Sequence, residues 1–351
     1  MKCEQLTFAR EYRGLTQTAL AAKVKGLSQS NLSKYEKGFG GLSDNMLSLI
    51  MSVLDFPMKF LDMNIVNKVD SKHYRKKATI TVRTRNEIDR TISLIAYCFD
   101  WLCEFVELPD YTFGYYDLDS GINSEELATF IRNKYRLGMS PICDICNFLE
   151  RNGVFIYMWD SPIDDFDGVS LITDAGNHLV IMNRNRSNDR IRFTLAHELG
   201  HILMHECPNY PVFNNRDKEK EANSFASEFL IPTQMAKRNL SNVKLGQLPE
   251  LKKYWLVSMA SLLEKAKKIN AITSEKYTSM RIEFSRRHWN KKEPYEVPID
   301  NPTVFEQAYR LVSDTLGYSI DMISESTGLP KDVLIKIFGK SAKIISLKPQ
   351  V

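Results

Sequence analysis

No stretch of the 351 residues approaches the roughly eighteen-residue apolar run that a membrane span requires. The start, Met1 to Gln5, has no apolar segment behind a basic tip, so a secretory signal is not expected. Cysteine is scarce, at 6 residues, and a chain that stays inside the cell is not expected to form disulfides. Cys143 and Cys146 make a single Cys-x-x-Cys, and no second pair completes a zinc knuckle. The expectation is two reduced thiols buried on one apolar helix face. These absences exclude membrane and disulfide-scaffold classes and point to a cytoplasmic protein. With 43% hydrophobic and 26% charged residues, the chain is long enough for two or three domains, each with its own core.

Charge is unevenly placed. Residues 1–90 hold 16 Lys and Arg against 9 Asp and Glu, whereas the remaining 261 hold 31 against 34. Only one end is therefore suited to meet a polyanion.

That basic end reads as short helices with tight breaks. Leu6, Phe8, Ala9 and Tyr12 mark a first helix ended by Gly14. Thr16 caps a second over 17–23, Gly26 turns the chain, and Ser28 caps a third running from Gln29 to Lys37. A fourth covers 42–54, and Phe56-Pro57 opens a short fifth. Two short helices around a Gly-containing turn match the helix-turn-helix unit, which Leu20, Ala21, Val24, Leu27 and Leu32 would hold rigid. The outward positions Gln29, Ser30, Asn31, Ser33 and Lys34 are polar; amides can pair with adenine edges, while Ser and Lys suit phosphates. The stretches Gly14-Leu-Thr-Gln-Thr-Ala-Leu-Ala21 and Leu27-Ser-Gln-Ser-Asn-Leu-Ser-Lys-Tyr-Glu-Lys-Gly38 resemble the XRE (phage-repressor-like) helix-turn-helix family. The resemblance implies that Gln17, Ser28 and the run Gln29 to Lys34 face double-stranded operator DNA. It also implies a structural role for Glu36; the alternative is a helical protein-docking module with a solvated polar face. One such domain buries little surface, so useful specificity calls for a homodimer on two half-sites. Lys72 to Lys77 and Arg83 to Arg85 form a basic connector, read either as a phosphate contact or as a solvated linker.

The strongest chemical signal lies in the acidic body: His197-Glu198-Leu-Gly-His201, inside an otherwise apolar run without proline. Residues four apart on a helix differ by about 40° in azimuth and about 6 Å in rise, so both imidazoles can grip one ion. Glu198 points about 100° away from His197 and can reach a water beside the metal without binding it. Catalytic zinc takes three protein ligands and an open position. His205 lies about 12 Å in rise from His197, too far to share the ion, and is expected to cap the helix or line the cleft. Glu219, 18 residues after His201 and beyond the break at Pro208 and Asn214, fits an antiparallel helix offering a carboxylate. Asn223 lies on the same side and could orient a ligand histidine. Glu221 is the fallback ligand, about 200° around from Glu219, so only one of them can face the ion.

These segments resemble the ImmA/IrrE metallopeptidases, in which His-Glu-Leu-Gly-His is followed by Glu-x-Glu-Ala-Asn-x-Phe-Ala. Further likeness to longer fusions of XRE and ImmA-type domains runs through 106–109, 166–170, 178–183 and 251–260. The resemblance implies His197, His201 and Glu219 as Zn2+ ligands, Glu198 as catalytic base, and a repressor protein as substrate. The rival reading is a transcription factor whose peptidase-like domain senses a ligand or metal and cleaves nothing.

The expected fold is mainly α with a small β-sheet (α+β). It comprises a five-helix DNA-binding domain (1–62), a basic connector and linker helix (63–110), a zincin-like, gluzincin-type peptidase domain (111–240) and a helical C-terminal region (241–351). The alternating run His178 to Met182 is expected to be a strand that pairs with extended substrate. Two short helices around Gly328 resemble a second helix-turn-helix but lack a basic face, which favours a packing module.

Overall fold

A computed structural model of the chain describes residues 2–65, 81–163, 166–206, 216–298 and 300–339. Helices α1 (Lys2–Tyr12), α2 (Gln17–Lys23), α3 (Gln29–Glu36) and α4 (Asp44–Leu54) precede a 3-10 turn, Met58–Asp62. Then come α5 (Val82–Cys103), α6 (Ser124–Lys134) and α7 (Ile145–Glu150), followed by strands β1 (Val154–Trp159), β2 (Gly168–Ile172) and β3 (His178–Asn183). The long helix α8 (Asn188–His205) is followed by α9 (Lys218–Leu230), α10 (Thr233–Leu240), α11 (Leu248–Trp255), α12 (Met259–Lys268) and α13 (Ser274–Arg286). The described chain closes with α14 (Val304–Arg310), α15 (Ile320–Thr327) and α16 (Lys331–Phe338). The architecture is thus mainly α with one small sheet. No helix among the described residues is long and apolar enough to cross a membrane.

The chain forms two compact units. One comprises 1–108, 172–177 and 303–351, and the other 109–171 and 178–302. This grouping differs from the four segments drawn from sequence, because the last helices join the N-terminal unit.

In the first unit, side-chain caps start the helices, at Thr16 and Ser28 as the sequence indicates and also at Ser43. Thr16 accepts from the Ala19 amide, Ser28 from Asn31 and Ser43 from Met46, satisfying N–H groups that a helix start leaves unpaired. Phe8, Phe56 and Phe60 cluster beneath them, with centroids 4.6 Å apart for Phe56–Phe60 and 5.8 Å for Phe8–Phe60. The linker helix expected within 63–110 is α5, which begins at Val82 with Thr81 as its cap and packs on α1 and α14. The α15–α16 pair packs within this unit: Arg13 forks onto Asp332, Tyr97 donates to the Thr327 carbonyl, and Trp101 bonds Ser326. Lys72 to Lys77 of the basic connector lie outside the described residues.

The second unit is built around α8, whose Leu195, Ala196, Leu199, Ile202 and Leu203 have no solvent exposure. The sheet order is β1-β3-β2, with β1 and β3 parallel. β3 is therefore the central strand, flanked on both edges and buried throughout. This corrects the expectation that His178 to Met182 pairs with substrate: its backbone groups are already paired, and edge positions belong to β1 and β2. The helical stretch near 250–270 breaks at Leu256, which adopts φ 57 between α11 and α12. Because α7 begins only at Ile145, Cys143 lies before the helix and is exposed. Cys146 alone is buried, and burial pushes its thiol pKa far up. Cys207 and the break at Pro208 and Asn214 fall outside the described residues.

Candidate metal centre and DNA-reading face

Helices α8 and α9 pack so closely because Gly200 carries no side chain. A Cβ there would lie 3.3 Å from the Ala222 Cα and 3.2 Å from the Phe225 ring. Small residues facing each other let the backbones approach, which brings the first turns of α9 against the His-Glu-Leu-Gly-His turn of α8. His197, His201 and Glu219 then present ligand atoms that all lie within 4.8 Å of one another. The two Nε2 atoms are 3.0 Å apart, and the Glu219 oxygens lie 3.6 Å from His197 Nε2 and 3.4 Å from His201 Nε2. Tetrahedral zinc with bonds of about 2.0–2.1 Å has ligand–ligand edges of about 3.3 Å. The donor set therefore fits such an ion in kind and spacing.

Electrostatics favour a cation at the same place. Burial disfavours charge on His201, yet Glu219, Glu198 and Glu206 outweigh it and raise the His201 pKa. Asn223 Oδ1 lies 3.1 Å from His197 Nδ1, within hydrogen-bonding reach of that imidazole. Glu221 turns away from the three ligand atoms. It bonds His205 Nε2 at 2.8 Å and takes a fork from Arg216 at 3.0 and 2.8 Å. His205 neither lines a cleft nor caps the helix. Its side chain is 1% exposed, and its Nδ1 lies 2.9 Å from His201 Nδ1.

Glu198 is 4% exposed, and its Oε2 accepts hydrogen bonds from both the amide and the hydroxyl of Ser170 on β2, each 2.9 Å. The same hydroxyl lies 2.5 Å from Glu206 Oε1. A hydroxyl has one proton and cannot donate to two ionised carboxylates at once. Burial first, and the neighbouring Glu198 charge second, push the Glu206 carboxyl up to about 7. Below about pH 7, where Glu206 keeps its proton, it can donate to the Ser170 hydroxyl, which then donates to Glu198. Sequence spacing offered no hint of Ser170 or Glu206 in this role, because β2 and α8 meet only in the folded chain. A neighbouring cluster has Tyr111 packed at a tilt against His178, with centroids 4.0 Å apart, and His178 Nε2 bonded to Tyr115 at 3.0 Å. Burial lowers the His178 pKa to about 4.

In the first unit, Arg10 forks onto Glu36 at 2.6 and 2.8 Å, tying α1 to α3. Gln17 donates to Glu36 at 2.7 Å and accepts from Gln29 at 2.9 Å, so an ion pair aligns both amides. Gln29, Ser30, Asn31 and Lys34 are exposed on α3, and Ser33 is half-buried beside them. Ser28 spends its side-chain oxygen on the cap.

The first unit thus carries a helix-turn-helix with a polar exposed α3, and the second a candidate metal centre. Two family models match the chain: a helix-turn-helix over residues 8–61 and an IrrE N-terminal-like domain over residues 153–267. The chain thus joins an XRE-type helix-turn-helix domain to an IrrE-like domain, which supports a DNA-binding regulator carrying a metallopeptidase-like domain. No curated protein matches it.

Proposed function

We propose that the protein is a DNA-binding zinc metallo-endopeptidase that cleaves a partner repressor and so controls stress or mobile-element genes. The observation that supports it most is the convergence of His197, His201 and Glu219 beside a buried Glu198 that Ser170 holds in place. Zinc bound there supplies a Lewis acid that acidifies water and polarises a carbonyl. Glu198 takes the proton released by the attacking water and passes it to the nitrogen of the leaving amine as the peptide C–N bond breaks. Ser170 donates twice to the Glu198 carboxylate and so fixes its orientation for that transfer. The DNA-binding domain acts as a homodimer and raises the effective concentration of the peptidase near repressors bound at the same operators.

Glu198→Gln tests this reading against a non-cleaving sensor. The variant should retain metal, because Glu198 is not among the three converging ligands, and should lose cleavage of repressors encoded beside the gene. Wild-type protein that holds metal but leaves every such repressor intact favours the sensor.

A further inference from the structure

The third histidine of α8 is used by neither half of this proposal, yet it is almost wholly buried between two polar partners. His205 Nδ1 lies 2.9 Å from His201 Nδ1, and His205 Nε2 lies 2.8 Å from Glu221 Oε2. Glu221 is in turn held by the Arg216 fork, and Arg216 lies 3.6 Å from Asp119. When His201 binds a cation through Nε2, its ring proton must sit on Nδ1, and His205 Nδ1 lies within hydrogen-bonding reach of it. That atom must then accept, so His205 carries its own proton on Nε2, where it faces the Glu221 carboxylate. Each donor in the row meets an acceptor in only one arrangement of protons.

We propose that His205 and Glu221 form a positioning relay that fixes the tautomer of His201 and strengthens its hold on the metal. The inference rests on the metal-site reading above but not on cleavage. It also gives the two acidic residues near the start of α9 separate tasks. Glu219 faces the ion, and Glu221, about 200° around the helix, faces the relay. The two metal histidines are then oriented differently. His197 has a neutral amide, Asn223, behind it, while His201 has an imidazole backed by a carboxylate. A carboxylate behind an imidazole raises the basicity of its ligand nitrogen more than an amide does.

The test uses the full chain, stripped with chelator and titrated with Co2+, with Zn2+ read by competition. In H205L the His201 Nδ1–H loses its acceptor, and affinity should fall about tenfold to a hundredfold. H205N places Oδ1 where Nδ1 stood, accepts the same hydrogen bond, and should recover most of that loss. E221Q keeps the shape but removes the charge, and should fall between H205L and wild type. A purely packing role for His205 would weaken H205L and H205N alike and would lower the melting temperature of the chelated protein. That pattern overturns the proposal, as does H205L binding with wild-type affinity. Should H205L fail to fold, nitrogen chemical shifts of the Zn2+-loaded wild type decide: a His205 proton on Nε2 supports the relay, and one on Nδ1 refutes it. Wild-type protein that binds neither Co2+ nor Zn2+ overturns the metal-site reading and the relay together. Binding that is tight in both wild type and H205L overturns the relay alone.

Discussion

Replacing Glu206 by Gln should remove a pH dependence from the stability of the peptidase unit. The Glu206 carboxyl is raised from the usual 4.5 to about 7, first by burial and then by the nearby Glu198 charge. Its Oε2 is buried without a hydrogen-bond partner among the described residues, and the Ser170 hydrogen bond and the His201 ring only partly offset the cost of burying an ionised carboxylate. Between pH 4.5 and about 7 the folded chain keeps a proton that the unfolded chain has released. The folded state therefore binds more protons, and stability falls as pH rises. The contribution is complete below pH 4.5 and gone above about 7; at 1.36 kcal/mol per pH unit the loss reaches about 3 kcal/mol. The assay is urea unfolding of wild type and Glu206→Gln in chelator at half-unit steps from pH 4.5 to 8.5, taking the difference in stability at each pH. Gln cannot ionise and still offers Ser170 a donor, so the two proteins should match near pH 4.5. The variant should become progressively the more stable one as pH rises from 4.5 to about 7, and the difference should level off above that. A difference that stays constant across the range would refute the shared-proton arrangement of Glu206, Ser170 and Glu198.

His178 works in the opposite direction. Burial lowers its pKa from 6.5 to about 4, so stability present above pH 6.5 should be lost as pH falls toward 4, by up to about 3 kcal/mol; His178→Gln should flatten that acid limb in the same unfolding assay. Gly153 has φ +79, and a Cβ there would sit 2.5 Å from Tyr111 backbone atoms. Gly153→Ala should therefore cost more than about 2 kcal/mol and lower the melting temperature of that unit by several degrees, as calorimetry would show. Lys34→Ala, at an exposed position of α3, should weaken binding to DNA of any sequence and reduce the salt dependence of affinity by about one ion. An unchanged slope would place Lys34 away from the phosphates.

The features carried by local chemistry could be read from the chain alone. Thr16 and Ser28 cap the helices they precede because a hydroxyl can satisfy an amide three residues on whatever the rest of the fold does. Periodicity likewise put His197 and His201 on one helix face, since their separation is set by the helix itself. Glu219 and Asn223 depended on a reversal of the chain, which the sequence could suggest, while Gly200 against Ala222 set how closely the two helices approach. What stayed hidden was decided across elements. The central position of β3 follows from strand order, which the alternating pattern of one strand does not encode. Ser170 reaches Glu198 and Glu206 only because β2 lies against α8, and His205 finds Glu221 only because α9 runs beside it. Spacing along a helix determines which residues share a face. Which groups share a proton is settled by tertiary packing, because burial and distance between separate elements set both the cost of charge and the partner within reach.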